Sequence, residues 1–297
     1  MCIRTHEQHS SIGLTNFHCA HVTGLLYGLG SRKRSGGAGM CWCKRLFAPG
    51  RDLITLTFSM FLLALASAPA SAQFYVRSPE VDKGEAEIEE HGALYSGPGE
   101  DERLRQSHEI EGKYGITERF EGILEGELEQ PIGENLEGKA IELGGQYEII
   151  QRHGDGFGLA FRTLYEFALP DNSPDEILFG PLARLVRGNN SATINTFFVG
   201  QVGDHVEIDG LELKVNWQLK RELNDRWSLG VEGFSEIEDL AHAGSFDEQQ
   251  HRLGPVAYYE FPHAEGRPEW KAAGGVLFGL SDASSDFTYK FDLEVEF

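Results

Sequence analysis

The chain has 297 residues, with 47 acidic against 26 basic, a formal net charge of −21, 40% hydrophobic residues and 36 glycines. The average hides a division near residue 72: residues 1–72 hold seven Lys/Arg and two Asp/Glu, and residues 73–297 hold the other 19 and 45. So acidic a surface repels phosphate and excludes nucleic-acid binding. Cys2, Cys19, Cys41 and Cys43 all precede residue 72, which excludes disulfide and thiol chemistry from residues 73–297.

Residues 1–39 have no hydrophobic periodicity, and their Cys and His residues lie in nothing that looks foldable, so no metal site is expected there. They read as a mis-assigned or disordered extension, with translation starting at Met40. Residues 40–72 read as a signal peptide. Lys44, Arg45 and Arg51 precede an apolar run, Leu53–Ala68, which ends in Ala70-Ser71-Ala72. That run is shorter than a membrane-spanning helix requires, and the small residues Ala70 and Ala72 place cleavage after Ala72. Residues 73–297 are then the exported part.

From Gln73 onward apolar residues recur every second position, the spacing of half-buried strands. In chain order the strands are expected at 84–95, 103–116, 119–130, 138–150, 157–169, 176–187, 192–202, 210–221, 226–238, 250–261, 269–280 and 286–297. Connections after even-numbered strands are tight, as at Thr117-Glu118, Gly188–Ser191 and Asn224-Asp225. Those after odd-numbered strands are mostly longer and polar, as at Ser96–Glu102, Gly203–Asp209 and Asp239–Gln249. An even number of strands with short links on one side and long loops on the other predicts an all-β fold: a transmembrane antiparallel up-and-down barrel of about 12 strands. A closed barrel leaves no backbone group unpaired in lipid. Two places fit poorly. Glu90 falls on the apolar parity of the first strand, which predicts a bulge or a shortened strand. Segment 176–187 carries Pro181 and must turn either Arg184 or Arg187 outward.

If the apolar parity faces lipid, the other parity lines the lumen. It carries Glu109, Glu111, Glu121, Glu125, Glu127, Glu142, Glu166, Glu232, Glu236 and Glu294, together with Arg162, Lys214 and Lys290. The acids concentrate in the first three strands, the ninth and the last, so an acidic wall is expected where first and last strands meet. Such a wall in a narrow channel concentrates cations. The expected function is passage or binding of small solutes through this acidic, cation-favouring lumen. A plugged structural barrel, whose charges merely neutralise one another, is the alternative.

At the C-terminus Phe291, Leu293, Val295 and Phe297 alternate with polar residues behind the aromatic Tyr289. This ending resembles the terminal assembly signal of Gram-negative outer-membrane β-barrel proteins. The resemblance implies an outer-membrane location and, as partners, the barrel-assembly machinery, outer-membrane lipid and lipopolysaccharide, beside the small-molecule solute. Arg252–Tyr259 and Gly275–Leu280 look like uncharacterised proteobacterial barrels, some labelled as transporters of the phenol meta-degradation type, and that likeness implies no site residue.

A soluble barrel or sandwich would show the same alternation with its faces reversed. An outer-membrane lipid hydrolase needs a nucleophilic Ser beside a His. No His after residue 73 is followed two positions later by Ser, and the adjacent Ser107 and His108 point to opposite faces of a strand. No enzymatic activity, cofactor or metal is therefore expected. His242, Asp247 and His251, and separately Asp171, Asn172, Asp175 and Glu176, are acidic or His-bearing loop groups without metal-site spacing.

Overall fold

Period-2 alternation leaves each strand with one apolar and one polar face, and twelve such strands hide their edges only by closing on themselves. The computed structural model describes residues 74–97, 104–206, 210–264 and 266–297. In it the strands are β1 (Ala86–Ser96), β2 (Leu104–Gly115), β3 (Phe120–Pro131), β4 (Glu137–Ile150), β5 (Gly156–Ala168), β6 (Asp175–Arg187), β7 (Asn190–Val202), β8 (Glu212–Glu222), β9 (Trp227–Ile237), β10 (Gln250–Glu260), β11 (Glu269–Gly279) and β12 (Phe287–Glu296). Each pairs antiparallel with its chain neighbours, and β1 pairs with β12 to close the barrel. No helix among the described residues is long and apolar enough to cross a membrane. The expected N-terminal extension, the leader and its cleavage point lie outside the described residues.

The two faces settle which way round the barrel is built. Leu124, Leu143 and Leu219 on the outer face are more than half exposed, whereas Glu111, Glu125 and Arg162 on the inner face are 1%, 3% and 1% exposed. A soluble barrel has the opposite arrangement, so the apolar belt is the lipid face. The barrel interior also holds two apolar clusters. One is Phe74, Val76, Ala93, Phe234 and Leu277, and the other is Ala160, Leu182 and Phe197. These residues depart from the expectation that apolar side chains face only lipid. In the first cluster Phe74 and Val76 of the N-terminal segment pack with Ala93, Phe234 and Leu277 of the wall.

At Glu90, where a bulge or a shortened strand is expected, β1 runs straight through, in unbroken register with both β12 and β2. Glu90 stays on the lipid face because His108, buried on the neighbouring strand, meets its carboxylate at 2.7 Å. The Phe291 ring lies over Gly92, where a Cβ would fall within the ring, and it contacts His108 edge-on. A polar pair is thus covered by an aromatic rather than removed by a bulge. In β6, Arg184 turns inward to Glu80 and Arg187 turns outward at the strand end. The β6–β7 link is the two-residue turn Gly188-Asn189, with Gly188 at φ 53°, a conformation that favours glycine.

Candidate functional site: a carboxylate row and the segment that crosses it

The inner face is organised by strand register. Glu294 of β12 lies opposite Glu89 of β1, which lies opposite Glu111 of β2. Glu111 faces Glu125 of β3, Glu125 faces Glu142 of β4, Glu142 faces Glu166 of β5, and Glu166 faces Glu176 of β6. Seven carboxylates on seven consecutive strands form one cross-strand row. Strands tilt in a closed barrel, so such a row climbs. It begins at Glu294, close to the short-turn end, and finishes at Glu166 and Glu176, close to the long-loop end.

Like charges directly opposed are destabilising, and cations stand among them. Arg162 of β5 binds Glu111 at 2.8 Å and also Glu125. Lys113 reaches Glu89 at 2.5 Å and Glu87 at 2.7 Å, Lys139 reaches Glu127 at 3.0 Å, and Lys271 reaches Glu294 at 2.8 Å. Beside the row, Lys290 binds Glu232 at 2.7 Å and Asp292 at 3.0 Å. Among the described residues no hydrogen bond or ion pair reaches the carboxylates of Glu142 and Glu166.

The remaining cation comes from outside the barrel wall. Residues Phe74–Asp82 run inside the barrel before the chain turns into β1. Arg77, 8% exposed, binds Glu109 and lies 3.2 Å from Glu111 and 3.5 Å from Glu125. Its main chain is held by Asn195 of β7, whose carbonyl accepts from the Arg77 N–H at 2.7 Å while its amide donates to the Arg77 carbonyl at 2.9 Å. Asn216 of β8 donates to the Tyr75 carbonyl at 3.2 Å and Gln146 of β4 to the Ser78 carbonyl at 3.0 Å. Tyr75 stacks on His91 with ring centres 3.8 Å apart, and Phe74 packs edge-on against Phe234. At the lower end Glu80 binds Arg152 at 2.5 Å and Arg184 at 3.1 Å.

This segment helps to line two cavities. One, about 410 Å³, opens among Tyr75, Glu80, Glu87, Glu89, Lys271 and Glu294 towards the short-turn end. The other, about 40 Å³, lies among Arg77, Glu125, Glu142, Arg162, Glu166 and Lys214 towards the long-loop end. The first has the size of a small-molecule site, while the second holds about one or two waters.

The residues expected in the lumen are therefore brought together in part. Glu109, Glu125, Glu127, Glu142, Arg162, Glu166 and Lys214 line the smaller cavity, Glu111 is bound to Arg162 beside it, and Glu121 is buried on β3. Glu232 and Lys290 pair with each other across the barrel, joined by Tyr258, whose hydroxyl donates to Glu232 at 2.6 Å. Glu236 stands beside a minor cleft with Lys214 and Arg252. Phe291, Leu293 and Val295 lie on the outer face of β12 beside the seam, and Phe297 follows the strand.

Sequence reasoning missed Arg77, Asn195, Asn216, Gln146, Lys139 and the place of Glu176 in the row. A signal did exist for Arg77: it is the one basic residue of Phe74–Asp82, a stretch that alternates Phe74, Val76 without a partner strand. Among the described residues three groups bring potential metal-ligand atoms within 4.8 Å: His91–Glu109–Glu111, Glu87–Glu89–Glu294 and Glu127–Glu142–Glu166. The first two are engaged by Arg77, Arg162, Lys113 and Lys271, and the third by Lys139 alone. The two loop groups do not converge: His242 turns to Asp239, His251 to Ser235 and Gln249, and Asp175 accepts from Tyr165. Ser107 points inward to Tyr95 while His108 points outward.

No family model matches the chain, and no curated protein does. Among solved structures it is similar to the KdgM porin in complex with disordered oligogalacturonate, at 10% identity and TM-score 0.46, over 71% of this chain and 98% of that one. It is similar to the Acinetobacter baumannii outer membrane protein Omp33 at 10% identity and TM-score 0.40, over 72% and 98%. For Pseudomonas aeruginosa OprD the values are 13% and 0.38, over 73% and 66%. At such identities and scores these likenesses carry no correspondence of residues, substrate or activity. The class is defined by the fold and its faces: a twelve-stranded transmembrane β-barrel with a charged, internally occupied lumen.

Proposed function

We propose that the protein is an outer-membrane channel for small solutes that favours cationic or neutral ones, with residues 74–82 as an internal plug. The carboxylate row carries this reading. It offers a cation a succession of negative sites from the short-turn end to the long-loop end, in surroundings where charge is poorly screened. Arg77 occupies the middle of that row, so the chain supplies its own cation where a permeating one would sit.

By this reading the signal peptide is removed near Ala72, the C-terminal residues Phe291–Phe297 direct insertion by the barrel-assembly machinery, and the long loops face the lipopolysaccharide leaflet. The likeness of segments 252–259 and 275–280 to transporters of the phenol meta-degradation type belongs to the same reading and names no solute. The two-cavity arrangement favours a second reading, a permanently plugged structural barrel.

Planar-bilayer recording separates them. The full mature chain should conduct weakly, and a variant lacking residues 74–80 should conduct about tenfold more, both with reversal potentials favouring cations. A silent deletion variant would leave the structural barrel standing. Anion preference in either form would overturn the acidic path.

A further inference from the structure

On the outer face, the strand ends at the short-turn side carry an apolar or aromatic row around most of the barrel: Tyr114, Phe120, Ile150, Phe157, Trp227, Tyr259 and Trp270. One sector breaks it. Arg187 of β6 lies opposite Asn190 of β7, and Asn190 opposite Arg221 of β8, so three polar residues sit in one cross-strand row facing lipid. Strand spacing sets the two arginines about 10 Å apart. Neither guanidinium has a carboxylate partner among the described residues. Arg221 donates only a long hydrogen bond, 3.4 Å, to the Asn190 side chain.

Directly above this row the belt is hollow. Leu185, Ala192 and Leu219 form the next cross-strand row, and the methyl of Ala192 between two leucines leaves a groove of about 460 Å³ that reaches the arginines. A second groove of about 310 Å³ continues it past Ala183 and Trp217.

We propose that this sector binds a glycerophospholipid with an anionic headgroup, the phosphate held between Arg187 and Arg221 and an acyl chain laid over Ala192. The charge fits, since a phosphate ester matches a pair of guanidinium groups. The depth fits as well: short turns mark the inner leaflet, and basic residues at the edge of an apolar groove are the form lipid-headgroup sites take. The same depth excludes the lipopolysaccharide of the opposite leaflet as the occupant. The site does not depend on what the lumen carries.

Native mass spectrometry of the full mature protein, released from mixed detergent with dioleoyl-phosphatidylglycerol and dioleoyl-phosphatidylethanolamine in equal amounts, tests it. Wild type should retain the glycerol lipid about tenfold over the ethanolamine lipid, the scale of one or two charge-assisted hydrogen bonds. R187Q/R221Q should abolish that preference, and A192L, which fills the groove without touching charge, should lower retention of both lipids. All three positions are on the outer face, and unchanged heat-modifiable gel mobility reports an intact barrel. Equal retention of the two lipids by wild type, or a preference that survives R187Q/R221Q, overturns the proposal. So does a lipid-free dimer lost in A192L, which would make a second copy of the chain the occupant.

Discussion

The two halves of the lumen are built on different chemistry. From β12 through β1 to β6 the inner wall carries a carboxylate on every strand in register, and it is held by Arg162, Lys113, Lys139 and Lys271. From β7 through β10 there is no such row: the amides Asn195, Asn216 and Gln218 and the apolar Phe197, Phe234 and Val256 stand among charges of both signs, with Lys214 beside Glu212 and Glu232 tied to Tyr258 and Lys290, so this half is nearer to neutral. The N-terminal segment joins them. It gives its guanidinium to the acidic half and its main-chain carbonyls mainly to the neutral half. A charged wall selects a side chain, whereas a wall of amides holds a backbone, and the plug needs both.

The largest test breaks the acidic half. Arg162→Ala leaves Arg77, at 3.2 Å and 3.5 Å, as the one cation that Glu111 and Glu125 still share, and loss of one partner from a buried ion pair costs roughly 3–5 kcal/mol. The variant should lose its heat-modifiable barrel mobility at a clearly lower temperature, and R162A/E125Q should recover part of that loss. An R162A barrel as stable as wild type would mean that the row does not need this cation.

A smaller effect is expected in the neutral half. Asn195→Ala removes both hydrogen bonds to Arg77, a cost of about 1–3 kcal/mol borne by the plug and not the wall. Amide exchange should quicken in residues 75–82 while β1–β12 keep their protection. Unchanged exchange in the segment would show that the Arg77 ion pairs alone retain it.

The smallest effect sits outside the lumen, in the β9–β10 loop above the neutral half. Hydrogen bonding from His242 and the Ala241 N–H holds the Asp239 carboxyl below its ordinary value, and the Ser245 backbone N–H and hydroxyl do the same for Glu248. A lowered carboxyl pKa gives stability that is present above the ordinary value of about 4 and lost as pH falls through the folded value. The loop's two short 3-10 turns, Leu240–His242 and Phe246–Glu248, should therefore loosen in acid. Exchange at the Ala241 and Ser245 amides, compared at pH 7 and in acid after correction for intrinsic rates, checks this. Turns equally protected in both would remove it.

Much of the architecture was legible in the chain. All twelve strands lie within about two residues of their expected bounds, because alternation between a lipid face and a lumen face is a strictly local pattern. Inward placement of Glu111, Glu125 and Glu142 follows from the same parity. Glu90 shows its limit: the parity rule predicts a bulge or a shortened strand, and a partner on another strand, His108, makes both unnecessary. Arg77 shows another, since nothing local reveals that an unpaired segment will fold into the barrel.

Parity is a property of one strand, because successive side chains must point to opposite faces whatever lies beside them. It placed most of the acids inside and most of the leucines and aromatics outside. Register is a relation between strands, set by closure of twelve of them and by the turns that join them. Only that relation aligned Glu294, Glu89, Glu111, Glu125, Glu142, Glu166 and Glu176 into one row. The position of Arg77 was decided later still, by a match between one guanidinium, three carboxylates and an Asn195 side chain more than a hundred residues away.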